Sequence, residues 1–84
     1  MSADNGIYIA KFKDGYRVAH IQAVDNLDFF PKGSQEETDE WKRCFGKSTV
    51  FSSYDLALAE AVTMANNCPI VEYGVSYLGD GVDF

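Results

Sequence analysis

The side chains able to do acid–base or covalent chemistry are few and scattered. His20 is the single histidine, and alternation sets Val18 and Gln22 beside it and Ile9 across from it, surroundings that suit a packed or interfacial imidazole better than a general base. Nucleophilic catalysis needs a nucleophile, a base and an orienting acid held together. Ser52 and Ser53 stand just before an apolar-periodic stretch and are accounted for as helix caps. Cys44 and Cys68 form no C-x-x-C pair, so they read as free, mostly buried thiols of a reducing compartment. Asp80-Gly81-Val82-Asp83 is a fragment of a calcium-loop pattern without its length or its closing bidentate Glu. No glycine-rich phosphate loop occurs. The expectation is a non-enzymatic protein with no metal and no cofactor.

What the chain does concentrate is negative charge. Thirteen Asp and Glu against seven Lys and Arg give a net charge of −6. From Ser48 onward every charged side chain is a carboxylate: Asp55, Glu60, Glu72, Asp80 and Asp83. The bases, Lys11, Lys13, Arg17, Lys32, Lys42, Arg43 and Lys47, all come earlier. So one-sided a second half draws in cationic partners and repels a nucleic-acid backbone. Glu36, Glu37, Asp39 and Glu40 form a second acidic group next to Trp41, either a helix start where carboxylates complement the dipole or a patch with the indole as anchor. The candidate partner-binding residues are therefore Asp55, Glu60, Glu72, Glu36, Glu37, Asp39, Glu40 and Trp41. A competing reading takes Arg17, Lys11 and His20 as the lining of a site for an anionic metabolite or signalling nucleotide.

One domain must position these groups, because 84 residues leave no room for a second core. Ile7 to Phe12 and Tyr16 to Val24 both alternate, with Asp14-Gly15 between them as a type I′ turn signal, so they are expected to pair as a hairpin. If Asp14 and Gly15 are the loop, Phe12 faces Arg17 and Ala10 faces Ala19. One sheet face then reads Tyr8, Ala10, Phe12, Ala19, Ile21 and Ala23, its alanines leaving room for a helix. The other face, with Ile7, Ile9, Val18 and His20, is too apolar to stay wet and is a candidate homodimer surface. Gln35 to Phe45 is a short charged helix after the Pro31, Gly33 and Ser34 loop, and Phe29, Phe30, Trp41 and Phe45 should dock on the sheet or on a partner.

Ser48 to Phe51 is a possible short strand. The clearest helix starts at Ser52 and runs to Asn66 or Asn67, with Tyr54, Ala57, Leu58, Ala61, Val62, Met64, Ala65 and Cys68 on its packing face and Leu56 nearly opposite. Ile70 to Leu78 is the last strand, its Val71, Tyr73, Val75 and Tyr77 side meeting that helix, and residues 79–84 are expected to fray. The fold class that follows is α+β: an antiparallel sheet of three to four strands, one main helix on one face, and a short helix in the 25–47 insertion.

Ser2-Ala3-Asp4-Asn5-Gly6-Ile7-Tyr8-Ile9, Asp14-Gly15-Tyr16-Arg17-Val18-Ala19-His20 and Glu72-Tyr73-Gly74-Val75 are similar to stretches of small uncharacterised proteins carried by bacteriophages. The resemblance implies a setting, not a chemistry: small acidic phage proteins include anti-CRISPR and other anti-defence inhibitors, some of which imitate the charge of DNA. The expected partner is then a host protein with a basic surface, met in the bacterial cytoplasm, with no direct nucleic-acid binding and no membrane segment.

Overall fold

The computed structural model describes residues 6–22, 24–68 and 74–84. The order of elements is β1 (Gly6–Phe12), β2 (Gly15–Ile21), a 3-10 turn (Val24–Asp28), α1 (Gln35–Phe45), β3 (Val50–Phe51), α2 (Tyr54–Asn67) and β4 (Val75–Asp80). The strands form one sheet in the order β3-β2-β1-β4. The fold is α+β, but the sheet is mixed and not antiparallel throughout. β1 pairs antiparallel with β2, and β2 with β3, whereas β4 runs parallel to β1. The cause is the short β3. It turns the chain back into the direction of β1 before α2 begins, and a helical crossover then returns the next strand in that same direction.

Tyr8, Ala10, Phe12, Ala19 and Ile21 pack under Trp41 and Phe45 of α1. Ile7, Ile9 and Val18 pack under Ala57 and Ala61 of α2. Large meets small on both sides: the alanine face of the sheet receives the aromatic helix, and the alanine stripe of α2 receives the β-branched face of the sheet. The Ile7, Ile9 and Val18 face is thus closed within the chain, with Ile9 fully buried, and the homodimer surface expected there is not available. His20 stands exposed at its margin.

The hairpin loop is Lys13-Asp14, with Phe12 opposite Gly15 and Ala10 opposite Arg17. The expected pairing is off by two residues, which leaves each side chain on the expected face, since only an odd slip would invert the sheet. Gly15 is used elsewhere. It has φ +140°, and a methyl group placed on it would lie 2.6 Å from the Phe51 carbonyl oxygen, so it admits the close approach of β3. Gly15→Ala is expected to destabilise by about 1–3 kcal/mol through backbone strain and displacement of β3, measured as a fall in the urea midpoint.

Residues 79–84, expected to fray, continue along β1. Gly79 and Asp80 belong to β4, Gly81 N–H donates to the Lys11 carbonyl at 2.7 Å, and Asp83 Oδ1 accepts from Lys13 N–H at 3.1 Å. Phe84 closes edge-on over Phe12, ring centroids 5.5 Å apart. The β1–β4 register shifts between Ile9 and Ala10, opposite Tyr77 and Gly79.

Candidate functional site

α2 carries the acidic surface. Ser53, not Ser52, is its N-cap, with its side-chain oxygen accepting from Leu56 N–H at 3.3 Å. Asp55 and Glu60 are exposed on the helix, together with Leu56 (53% exposed), Ala59, Val62 (44%), Thr63, Asn66 and Asn67. Val62 therefore leaves the packing face to which its periodicity assigned it, while Leu56 points outward as expected. No basic residue lies on α2. Glu72 lies outside the described residues.

Among the described residues the ion pairs join early acids to early bases. Arg17 pairs with Asp14, Lys32 with Asp28 and Glu37, and Arg43 with Glu40. Asp55 and Glu60 take part in none of these, so their charge is not neutralised by them. Asp80 and Asp83 do not extend the α2 surface: Asp80 borders a cleft on the α1 side and Asp83 is bound at the hairpin tip.

The acidic group of α1 divides by helical spacing. Glu37, Trp41 and Phe45 are four residues apart, share one face, and are all buried. Ser34 Oγ accepts from Glu37 N–H at 3.2 Å, while Glu37 Oε1 accepts from Gly33 N–H at 2.9 Å, a capping box that reaches one residue beyond the cap. The Ser34-x-x-Glu37 spacing is the sequence signal that separates Glu37 from its neighbours. Trp41 is 7% exposed and stacks on Phe45 at 5.6 Å. It is a core residue and not the partner anchor expected. Glu36 and Asp39 face solvent, the latter accepting from Gln35 Nε2 at 2.8 Å.

Glu40 is half-buried and is held by both Arg43 Nε, at 3.1 Å, and Arg43 Nη2. The hydrogen bonds from that guanidinium hold the Glu40 carboxyl below the usual carboxylate range, and burial only partly opposes them. A depressed folded pKa contributes stability that is present above the unfolded value and lost as pH falls through the folded one. Glu40→Gln should flatten that acid limb by about 0.5 kcal/mol, read from denaturation midpoints between neutral and acidic pH. Beside it, burial raises the Cys44 thiol above its ordinary pKa, so it is not a thiolate nucleophile at neutral pH.

Arg17, Lys11 and His20 do not form a common site. Arg17 lies on the α1 side of the sheet with Ala10, whereas Lys11 and His20 share the α2 side with Tyr16 and Ile7. The Arg17 side chain is only 14% exposed. Its Nη1 donates to the Phe45 and Ser48 carbonyls at 3.2 and 3.3 Å, its Nη2 donates to Asp14 at 3.0 Å, and the guanidinium lies 5.1 Å from the Phe84 ring centroid. Lys11 is exposed above the Tyr16 ring, and His20 lies in a groove with Gln22, Arg43 and Cys44.

No group of three or more His, Cys, Asp or Glu among the described residues is placed to hold a metal ion, and no helix among them is long and apolar enough to cross a membrane. Compared with protein-family models, with curated proteins and with solved structures, the chain matches none.

Proposed function

We propose that this is a non-enzymatic acidic binding protein that docks α2 on a basic surface of another protein. Its partner is a host defence or nucleic-acid-handling protein, in the setting that the likeness to phage proteins implies. The observation that carries the reading is the exposed side of α2, which carries Asp55, Leu56, Glu60 and Val62 with no cation on the helix. Apolar side chains supply contact area, and unpaired carboxylates speed the approach of a cationic surface more than they deepen the final affinity. With Asp80 and Asp83 elsewhere, the attraction is one of net charge and a mixed acidic and apolar contact, not a row of phosphate-like charges.

The competing reading, an oligomeric sponge or sensor for an anionic ligand, loses its support in the geometry of Arg17. A guanidinium already committed to two carbonyls and a carboxylate within the chain has little left to offer a phosphate.

Affinity capture from bacterial lysate, with wild type and the Asp55→Lys/Glu60→Lys variant at about 50 and 300 mM salt, tests the reading. A partner retained by wild type at low salt should fall about tenfold or more at high salt and on charge reversal. Equal retention by both proteins at both salt concentrations would reject α2 as the docking face.

A further inference from the structure

On the opposite side of the sheet from α2, a cleft of about 270 Å3 opens between the 3-10 turn, α1 and β4. Its walls are apolar, from Val24, Leu27, Leu78 and Val82. Among the described residues its charges are Asp28, Glu37, Asp80 and Lys32, three carboxylates to one ammonium. Glu37 is 3% exposed and Trp41 7%, and both line the cleft. Glu37 Oε2 and Trp41 Nε1 are buried there without a hydrogen-bond partner. A buried carboxylate oxygen is costly to leave without a hydrogen bond, so Glu37 Oε2 at the border of the cavity calls for an explanation.

Lys32 supplies part of it. Its Nζ lies 3.3 Å from Asp28 Oδ1 and 3.4 Å from Glu37 Oε2, an ion pair with Glu37 that lacks hydrogen-bond geometry. The side chain is 76% exposed, so the ammonium reaches in from solvent at the end of a flexible stem. The Asp28 hydrogen bond, and after it Glu37, raise its pKa above the ordinary lysine value. An external cation of the same kind would find a buried carboxylate and aliphatic walls.

We infer that this cleft binds a small organic cation, a primary amine or guanidinium with a short apolar body, and that Lys32 is an internal competitor for its place on Glu37. The charge sign excludes anionic ligands, and the volume lies at or below the roughly 300–1,000 Å3 of pockets for drug-sized molecules, so the ligand is small. The same chemistry is offered by a free amine and by the Lys or Arg side chain of a protein. The site lies across the sheet from α2, so it stands or falls independently of the docking reading above.

Trp41 is the only tryptophan in the chain, and its fluorescence reports directly on the cleft. Phenylethylamine titrated into the full chain to about 10 mM should produce a saturable emission change, whereas its neutral analogue phenylethanol should not. Lys32→Met keeps the stem and removes the competing charge, so it should tighten amine binding by about three- to tenfold. Asp55→Lys/Glu60→Lys should leave it unchanged. Glu37→Gln should abolish binding, and if loss of its cap unfolds that variant, the Lys32→Met comparison still decides. A capped lysine tripeptide in the same titration separates the sources: binding as tight as the free amine assigns the cleft to a protein side chain, and weaker binding assigns it to a free ligand. No saturable response to the amine, an equal response to the alcohol, or unchanged affinity in Lys32→Met would overturn the inference.

Discussion

Phe45→Ala is expected to lower the unfolding free energy by about 3–5 kcal/mol, the range for deleting a large buried ring. The side chain is fully buried at the end of α1, 5.4 Å from the Phe12 ring centroid and 5.6 Å from that of Trp41. Its neighbours on the sheet, Ala10 and Ala19, are too small to fill the space it would leave. For a chain of this length a total stability of about 4–8 kcal/mol is usual, so the variant should be barely folded at room temperature. Circular dichroism during urea unfolding measures this without relying on Trp41, whose emission the substitution itself would alter. Leu56→Ala, on the exposed side of α2, is the control and should stay within about 0.5 kcal/mol of wild type. Equal shifts for the two variants would mean that the aromatic layer under α1 is not a core of the fold.

The second large effect is expected at Arg17. Arg17→Ala should cost about 2–4 kcal/mol, because it releases the Phe45 and Ser48 carbonyls, frees Asp14 and uncovers the Phe12 and Phe84 rings at once. These contacts join the hairpin tip, the end of α1 and the chain terminus, three segments far apart in sequence. Arg17→Lys should recover only part of the loss, since a lysine has the charge but not the planar fork that serves two carbonyls and a carboxylate together. A residue whose task was to grip an anionic ligand would behave in the opposite way: truncation would leave the urea midpoint in place and remove ligand binding alone.

Several elements could be read directly from the residues. α1 was expected at Gln35 to Phe45, after the loop marked by Pro31, Gly33 and Ser34, and occupies Gln35–Phe45. The two faces of the hairpin were also legible despite the register difference, since an even offset preserves which side chains share a face. The outward position of Leu56 followed from the helical wheel in the same way.

The site was less legible. Trp41 looks like a contact anchor beside four carboxylates, and only the spacing of Glu37, Trp41 and Phe45 on one buried face shows that it is core. Arg17 looks like a ligand-binding cation because sequence shows its charge and not the carbonyls that surround it. The cleft between the 3-10 turn, α1 and β4 has no local signature, since its walls come from three segments that are brought together only by folding.

Local rules therefore accounted for what acts over a few residues: the hairpin faces, the helix caps, the amphipathic stripes and the excess of carboxylates after Ser48. They did not reveal which helix covers which face, that β4 enters parallel to β1, or which charges remain free. Those outcomes depend on packing between distant segments. Bulky Trp41 and Phe45 fit over Ala10 and Ala19, Ala57 and Ala61 fit over Ile7, Ile9 and Val18, and such complementarity of volume exists only once the layers are in contact.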